Sequence, residues 1–204
     1  LAPPTPLLFL DFEASSLLPG TFPIEVGWCT EAGQVESHLI HPGAFPQGQW
    51  SFESEAIHGI SQERLCAEGR PAVEVAHRFL EVAAGKQVVV SSLQYDGMWL
   101  KLLLETIDAP VPALVSDRAA CRAAATNILL AGLPPEPGSD DHRNARYRTY
   151  AAHDVCRAAE EAHLDDLVIH RAGPDAEAMF KVWQTTVRLA TGRRGRLQGT
   201  GNLQ

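Results

Sequence analysis

Positive charge is scarce in this chain: 17 Lys and Arg stand against 25 Asp and Glu over 204 residues, a formal net charge of -8. That balance argues against a protein that holds nucleic acid through a uniformly basic surface. Cysteine is sparse as well. Cys29, Cys66, Cys121 and Cys156 are widely scattered, with no Cys-x-x-Cys pair and no histidines at zinc-finger spacing, so a zinc module does not fit and the four read as reduced structural thiols. No stretch approaches about eighteen uninterrupted apolar residues, and no basic-then-apolar secretory signature opens the sequence. The expectation is a cytoplasmic protein with no membrane partner. Internal repeats at solenoid periods and long low-complexity segments are also lacking.

What is present suits one domain with a full core: 45% of residues are hydrophobic and 21% charged. The charge is unevenly spread. Residues 1–139 carry 7 Lys/Arg against 16 Asp/Glu, and residues 140–204 carry 10 against 9, so any basic patch should come from the C-terminal third.

The first third reads as a meander. Strand-like runs at 7–13 (LLFLDFE), 23–30 (PIEVGWCT) and 34–41 (QVESHLIH) are separated by turn-rich segments, spacing that suits three consecutive antiparallel strands. A helical pattern follows, clearest in PAVEVAHRFLEVAAG, where Pro71 suits a first turn, Val75, Phe79 and Val82 share a face, and Gly85 suits a stop. Then come an apolar strand at 88–90, a helix from Asp96 to Ile107, a strand near 112–115 and a helix over 117–131. Strands alternating with helices imply parallel pairing, so the class is α/β, a mixed sheet with helices on its faces. Residues 134–144 read as an exposed loop, 146–163 and 174–190 as helices, and the glycine-rich 191–204 as a flexible tail of a single domain whose core is about 7–190.

Within LLFLDFEASSL, Asp11 and Glu13 project from one face of a strand while Phe12 points the other way. Two carboxylates side by side at the end of an apolar run repel each other and resist desolvation. Either the strand ends at Leu10 and both are solvated, or a hard divalent cation compensates them. In VVVSSLQYDGMWL, Asp96 follows an apolar strand at its carboxyl edge, where ligands of open α/β sheets collect; the alternative is that it merely caps a helix. In IHRAGPDAEAMFKVW, Gly173 and Pro174 mark a helix entry, with Asp175 in the first turn and His170 in the loop before it. On one continuous helix, residues five apart diverge by roughly 140°. A loop histidine and a first-turn aspartate can instead converge. The rival pairs His153 with Asp154, and His163 with Asp165 or Asp166, fall in or at the end of a helical segment and read as solvated surface.

Asp11-Phe12-Glu13, then Tyr95-Asp96, then His170 with Asp175 five positions later resemble the three motifs of the DEDDh 3′-to-5′ exonucleases, a family that includes polymerase proofreading subunits and ribonuclease T. PIEVGW, LIHP and AIHGIS look like the family's supporting segments, and the resemblance covers roughly residues 7–190. Where the family usually has threonine after the first motif and often His-Asn before the second, this chain has Ala14-Ser15-Ser16 and Ser91-Ser92-Leu93-Gln94. The resemblance implies a ribonuclease H-like five-stranded sheet and two magnesium or manganese ions held by Asp11, Glu13, Asp96 and Asp175. It further implies His170 as general base, and release of 5′-mononucleotides from single-stranded DNA or RNA 3′ ends. A homodimer is also implied by several relatives. Ala14, Ser15 and Leu17 are expected against the terminal nucleotide, and His58 either there or anchoring its own loop.

HRNARYRTY, residues 142–150, mixes arginines with tyrosines in a way that suits a single strand, or forms a solvated charged segment. Trp50 and Phe52 read as core rather than base-stacking residues. Two other readings compete with an exonuclease: a non-catalytic nucleic-acid binding or regulatory module on the same fold, and a phosphoesterase of short oligonucleotides.

Overall fold

The computed structural model describes residues 5–131, 141–164 and 170–199, with the side chains of 141–148 and 196–199 outside that description. The chain forms two compact units, Leu1–Ser116 with Asp166–Phe180, and Asp117–Asp165 with Lys181–Gln204. Their compositions differ in sign. The first carries 6 Lys/Arg against 17 Asp/Glu and the second 11 against 8, or -11 and +3 of the total -8.

The first unit is built on five strands, β1 (Leu7–Ala14), β2 (Pro23–Thr30), β3 (Val35–Leu39), β4 (Gln87–Val90) and β5 (Leu114–Ser116), in the order β3-β2-β1-β4-β5. β1 and β3 pair with β2 antiparallel, whereas β4 runs parallel to β1 and β5 parallel to β4. Short turns suffice for the first three strands. Parallel β4 needs a crossover, which is supplied by α1 (Phe52–His58), α2 (Gln62–Glu68) and α3 (Ala72–Ala83). α4 (Tyr95–Glu105) follows β4. This is the expected α/β mixed sheet.

Alternation along β1 decides what each face carries. Leu8, Leu10 and Phe12 join Val26, Trp28, Val88 and Val90 against Val75 and Phe79 of α3 and Leu100, Leu103 and Leu104 of α4. Phe9, Asp11 and Glu13 therefore face the opposite side. There Phe9 meets Phe180 of α7 (Ala172–Gly199) edge to face, ring centroids 5.8 Å apart. Helices cover both faces, and the two acids project away from the main core.

In the second unit, Ala125 and Leu129 of α5 (Asp117–Leu130) pack with Ala151, Ala152 and Val155 of α6 (Asp141–Glu161) and with Ala190 of α7. No described helix is long and apolar enough to cross a membrane.

Three expectations are corrected here. α6 begins at Asp141, so 141–144 are helical rather than loop, and 134–140 lie outside the described residues. α7 runs through Gly199 rather than ending near 190, and 200–204 lie outside the described residues. Gly192 and Gly195 each cost the helix about 1 kcal/mol. Contacts offset part of that cost, since Arg193 donates to the Ala151 carbonyl at 3.5 Å and lies 3.8 Å from the Asp154 carboxylate. Phe52 is 77% exposed at the start of α1 instead of buried, whereas Trp50 is half-buried against Phe22 and donates to Glu55 at 2.9 Å.

Candidate active site

β1 sets the first two carboxylates. Asp11 lies opposite Gly27 and Glu13 opposite Glu25 on β2, and the pairing slips between Glu13 and Ala14. Such a bulge re-aims the side chains around it. The third carboxylate arrives with α7. His170 adopts a left-handed backbone, φ 47°, which turns the chain into the helix and leaves its ring exposed. The Arg171 N–H then donates to Asp175 Oδ2 at 3.1 Å. One oxygen from each of Asp11, Glu13 and Asp175 lies within 4.8 Å of the others. Asp175 Oδ1 is buried with no hydrogen-bond partner among the described residues.

The consequence is electrostatic. Burial pushes the Asp11 carboxyl well above its ordinary value, and the charges of Asp96, Glu13, Asp175 and Glu25 push it further. Glu13 is raised to about 8, first by burial, then by Asp175 and Glu25, with Arg171 opposing. Burial also raises Asp175, while the Arg171 N–H and His170 act to lower it. As it stands, the cluster favours protons.

Asp96 is buried and stands outside the three-carboxylate group, but its charge acts on Asp11. Its Oδ2 accepts from Ser92 N–H at 2.8 Å and Ser91 Oγ at 3.2 Å, and Ser92 Oγ accepts in turn from Tyr95 N–H at 3.1 Å. These bonds close the turn that leads into α4, whose cap residue Gln94 makes no side-chain cap bond. Asp96 thus ties that turn while its charge bears on Asp11.

Glu25 escaped the sequence reading. It is 2% exposed, and Arg171 grips it through two bonds, Nε to Oε2 at 2.9 Å and Nη2 to Oε1 at 2.6 Å. The Ala172 N–H donates to the same Oε2 at 3.1 Å. Two residues along β2, a Cβ on Gly27 would overlap the backbone of Ala172 and Gly173. Glu25 and Gly27 form a socket for the α7 entry. The partners are 146 residues apart in sequence, so only PIEVGW itself could have signalled them.

A groove of about 270 Å³ runs past the acids, lined by Asp11, Glu13, Ala14, Leu17, His58 and His170 among others. Of the expected contact residues, Ala14, Leu17 and His58 are on it. Ser15 does not line it: fully buried, it accepts from Phe22 N–H through Oγ at 3.0 Å and from Ser51 N–H through its carbonyl at 2.9 Å, stapling the loop after β1. Ser16 and Trp99 line the groove unforeseen. His58 anchors its own loop and also lines the groove. Its Nδ1 accepts from Ile60 N–H at 3.1 Å, anchoring the loop, and Nε2 is buried without a hydrogen-bond partner among the described residues. Burial lowers its pKa.

The rival histidines serve elsewhere. His163 pairs with the Thr185 hydroxyl at 2.9 Å, and Asp165 and Asp166 lie outside the described residues. His153 is exposed, and Asp154 faces Arg193. The side chains of 142–148 are outside the description, which leaves the basic-aromatic segment without a structural account apart from exposed Tyr150.

No family model matches the chain, and no curated protein matches it in sequence. Solved structures do match in fold. E. coli exonuclease I in complex with a dA16 oligonucleotide superposes with a TM-score of 0.60 at 14% identity, covering 97% of this chain and 43% of that one. The complex with dT13 gives 0.59 at 15% identity, covering 97% and 43%. The zinc-bound ExoI–ssDNA complex gives 0.52 at 12% identity, covering 96% and 42%. The fold is ribonuclease H-like. This chain spans less than half the length of the exonuclease I chains it matches.

Three convergent carboxylates whose burial favours protonation, one with an orphaned buried oxygen, are a donor set that fits a hard divalent cation.

Proposed function

We propose that the chain is a divalent-metal-dependent 3′-to-5′ exonuclease that releases 5′-mononucleotides from single-stranded ends. One observation carries this reading: acids from β1 and from α7, distant in sequence, converge within 4.8 Å beside an exposed histidine on the wall of a groove. The oligonucleotide complexes of exonuclease I, the fold's solved neighbours, support nucleic acid as the substrate.

Asp11, Glu13 and Asp175 would hold two magnesium or manganese ions, with Asp96 as the fourth carboxylate of the set. When bound, the ions supply neutralising charge at the scissile phosphate and acidify a water. The residues of the chain do the rest. His170, exposed at the groove, takes the proton of the attacking water on an imidazole nitrogen as the water oxygen bonds to phosphorus. The bond to the preceding 3′ oxygen breaks, that oxygen keeps the electron pair and takes a proton from solvent, and a 5′-mononucleotide and a shortened strand with a 3′-hydroxyl result. Ala14 and Leu17 give the terminal nucleotide an apolar wall, with His58 beside them on the groove.

His170→Ala should lower turnover by about 10²–10⁴-fold, the usual worth of a general base, with an unchanged melting temperature because the ring is exposed. An unaltered rate would remove His170 from the mechanism. The reading as a whole is tested on 5′-labelled DNA and RNA strands of matched sequence with Mg²⁺, Mn²⁺ or EDTA. A metal-dependent ladder shortening from the 3′ end is expected. Binding without loss would point to a non-catalytic module, and cleavage confined to the shortest strands to a small-substrate phosphoesterase.

A further inference from the structure

We propose that Glu25 and Arg171 are positioning residues: their buried ion pair holds the entry of α7 on β2 so that His170 and Asp175 meet Asp11 and Glu13. The inference rests on the reading of those acids as metal ligands.

The geometry makes the pair more than a structural tie. Arg171 follows His170 directly and gives its own N–H to Asp175, so one residue fixes both functional neighbours. Its guanidinium is committed through two parallel bonds to Glu25, a fork that fixes direction as well as distance. Ala172, the first residue of α7, adds its N–H to the same carboxylate. Gly27 lets the backbone of Ala172 and Gly173 come down onto β2 where any Cβ would hold it off. Glu25 in turn lies directly opposite Glu13 on the neighbouring strand. A bare carboxylate there would repel Glu13 across the ladder, and Arg171 neutralises it. The turn at His170 has a left-handed backbone, strained for a residue other than glycine, so something must hold it. The Glu25–Arg171 pair supplies that hold.

A merely structural ion pair predicts something different. Removing one partner leaves a buried charge alone, which destabilises any fold. The informative variant is therefore the double Glu25→Met/Arg171→Met, which removes both charges and keeps the volume filled. Mn²⁺ affinity by calorimetry, kcat and KM on a single-stranded oligonucleotide, the melting temperature, and hydrogen exchange at the Ala172 amide are measured for the wild type, Glu25→Gln and the double. We expect the double to melt near the wild type, yet to lose Ala172 protection and about 10–100-fold in Mn²⁺ affinity and kcat, as outer partners of metal sites do, with KM little changed. Glu25→Gln, which can still accept from Ala172, should fall between. A double variant with Mn²⁺ affinity and kcat within about twofold of the wild type overturns the positioning role while leaving the exonuclease reading intact. A wild type that neither binds Mn²⁺ nor shortens strands overturns both.

Discussion

Replacing Asp11 with asparagine lowers turnover by about 10²–10³-fold and, in the absence of metal, raises the melting temperature. The two effects share one cause. Asp11 sits on the strand face away from the main core, where loss of solvent first, and then the charges of Asp96, Glu13, Asp175 and Glu25, raise its pKa. Asparagine preserves shape and removes the charge that the metal-free fold resists, so stability rises as function falls. For a chain of this length each 1 kcal/mol moves the midpoint by about 2–4 °C, which makes the gain readable in a calorimeter. Strand-shortening assays on the same preparation supply the other half. A variant that melts lower without metal, or that degrades strands at the wild-type rate, would show that Asp11 is an ordinary surface carboxylate.

The second effect appears with pH. Glu13 has an ordinary value of 4.5 when unfolded and about 8 in the fold, and Asp11 is shifted the same way. Between those limits the folded chain binds more protons than the unfolded one. Stability of the metal-free protein therefore falls as pH rises from about 4.5 to about 8, and the contribution is fully present only below that window. Divalent ions should reverse the trend. Ligation needs the carboxylates ionised, so Mn²⁺ displaces protons and binds more tightly as pH rises. At a hundredfold excess over its dissociation constant an ion stabilises by about 2.7 kcal/mol, or roughly 5–10 °C here. Melting curves from pH 5 to 8.5, with EDTA and with Mn²⁺, should diverge toward alkaline pH. Parallel curves would mean that the raised carboxylates and the ion site are unrelated.

Much of this arrangement was legible before any coordinates. Period-two alternation put Asp11 and Glu13 together and away from Phe12, as found. The Gly173-Pro174 entry put Asp175 in a first turn with His170 outside the helix, also as found. The alternation carries no further than Glu13, because the pairing slips between Glu13 and Ala14 and Ser15, past the strand end, is tied to Phe22 and Ser51. Local rules stop at such irregularities. Asp96 was ambiguous because the turn into α4 and the electrostatics of the site use the same residue at the same helix start. Glu25 was invisible for another reason. A carboxylate within an otherwise apolar strand signals burial without naming its partner, and Arg171 is brought to it only by the fold.

A titration of Mn²⁺ into the wild type and into Asp11→Asn at pH 8, followed by calorimetry in two buffers of different ionisation enthalpy, goes to the heart of the account. Convergent ligands predict saturable binding to the wild type with protons released on each addition, and its loss in the variant. Equal, weak, proton-neutral binding to both would contradict it, for then the three carboxylates meet without holding an ion.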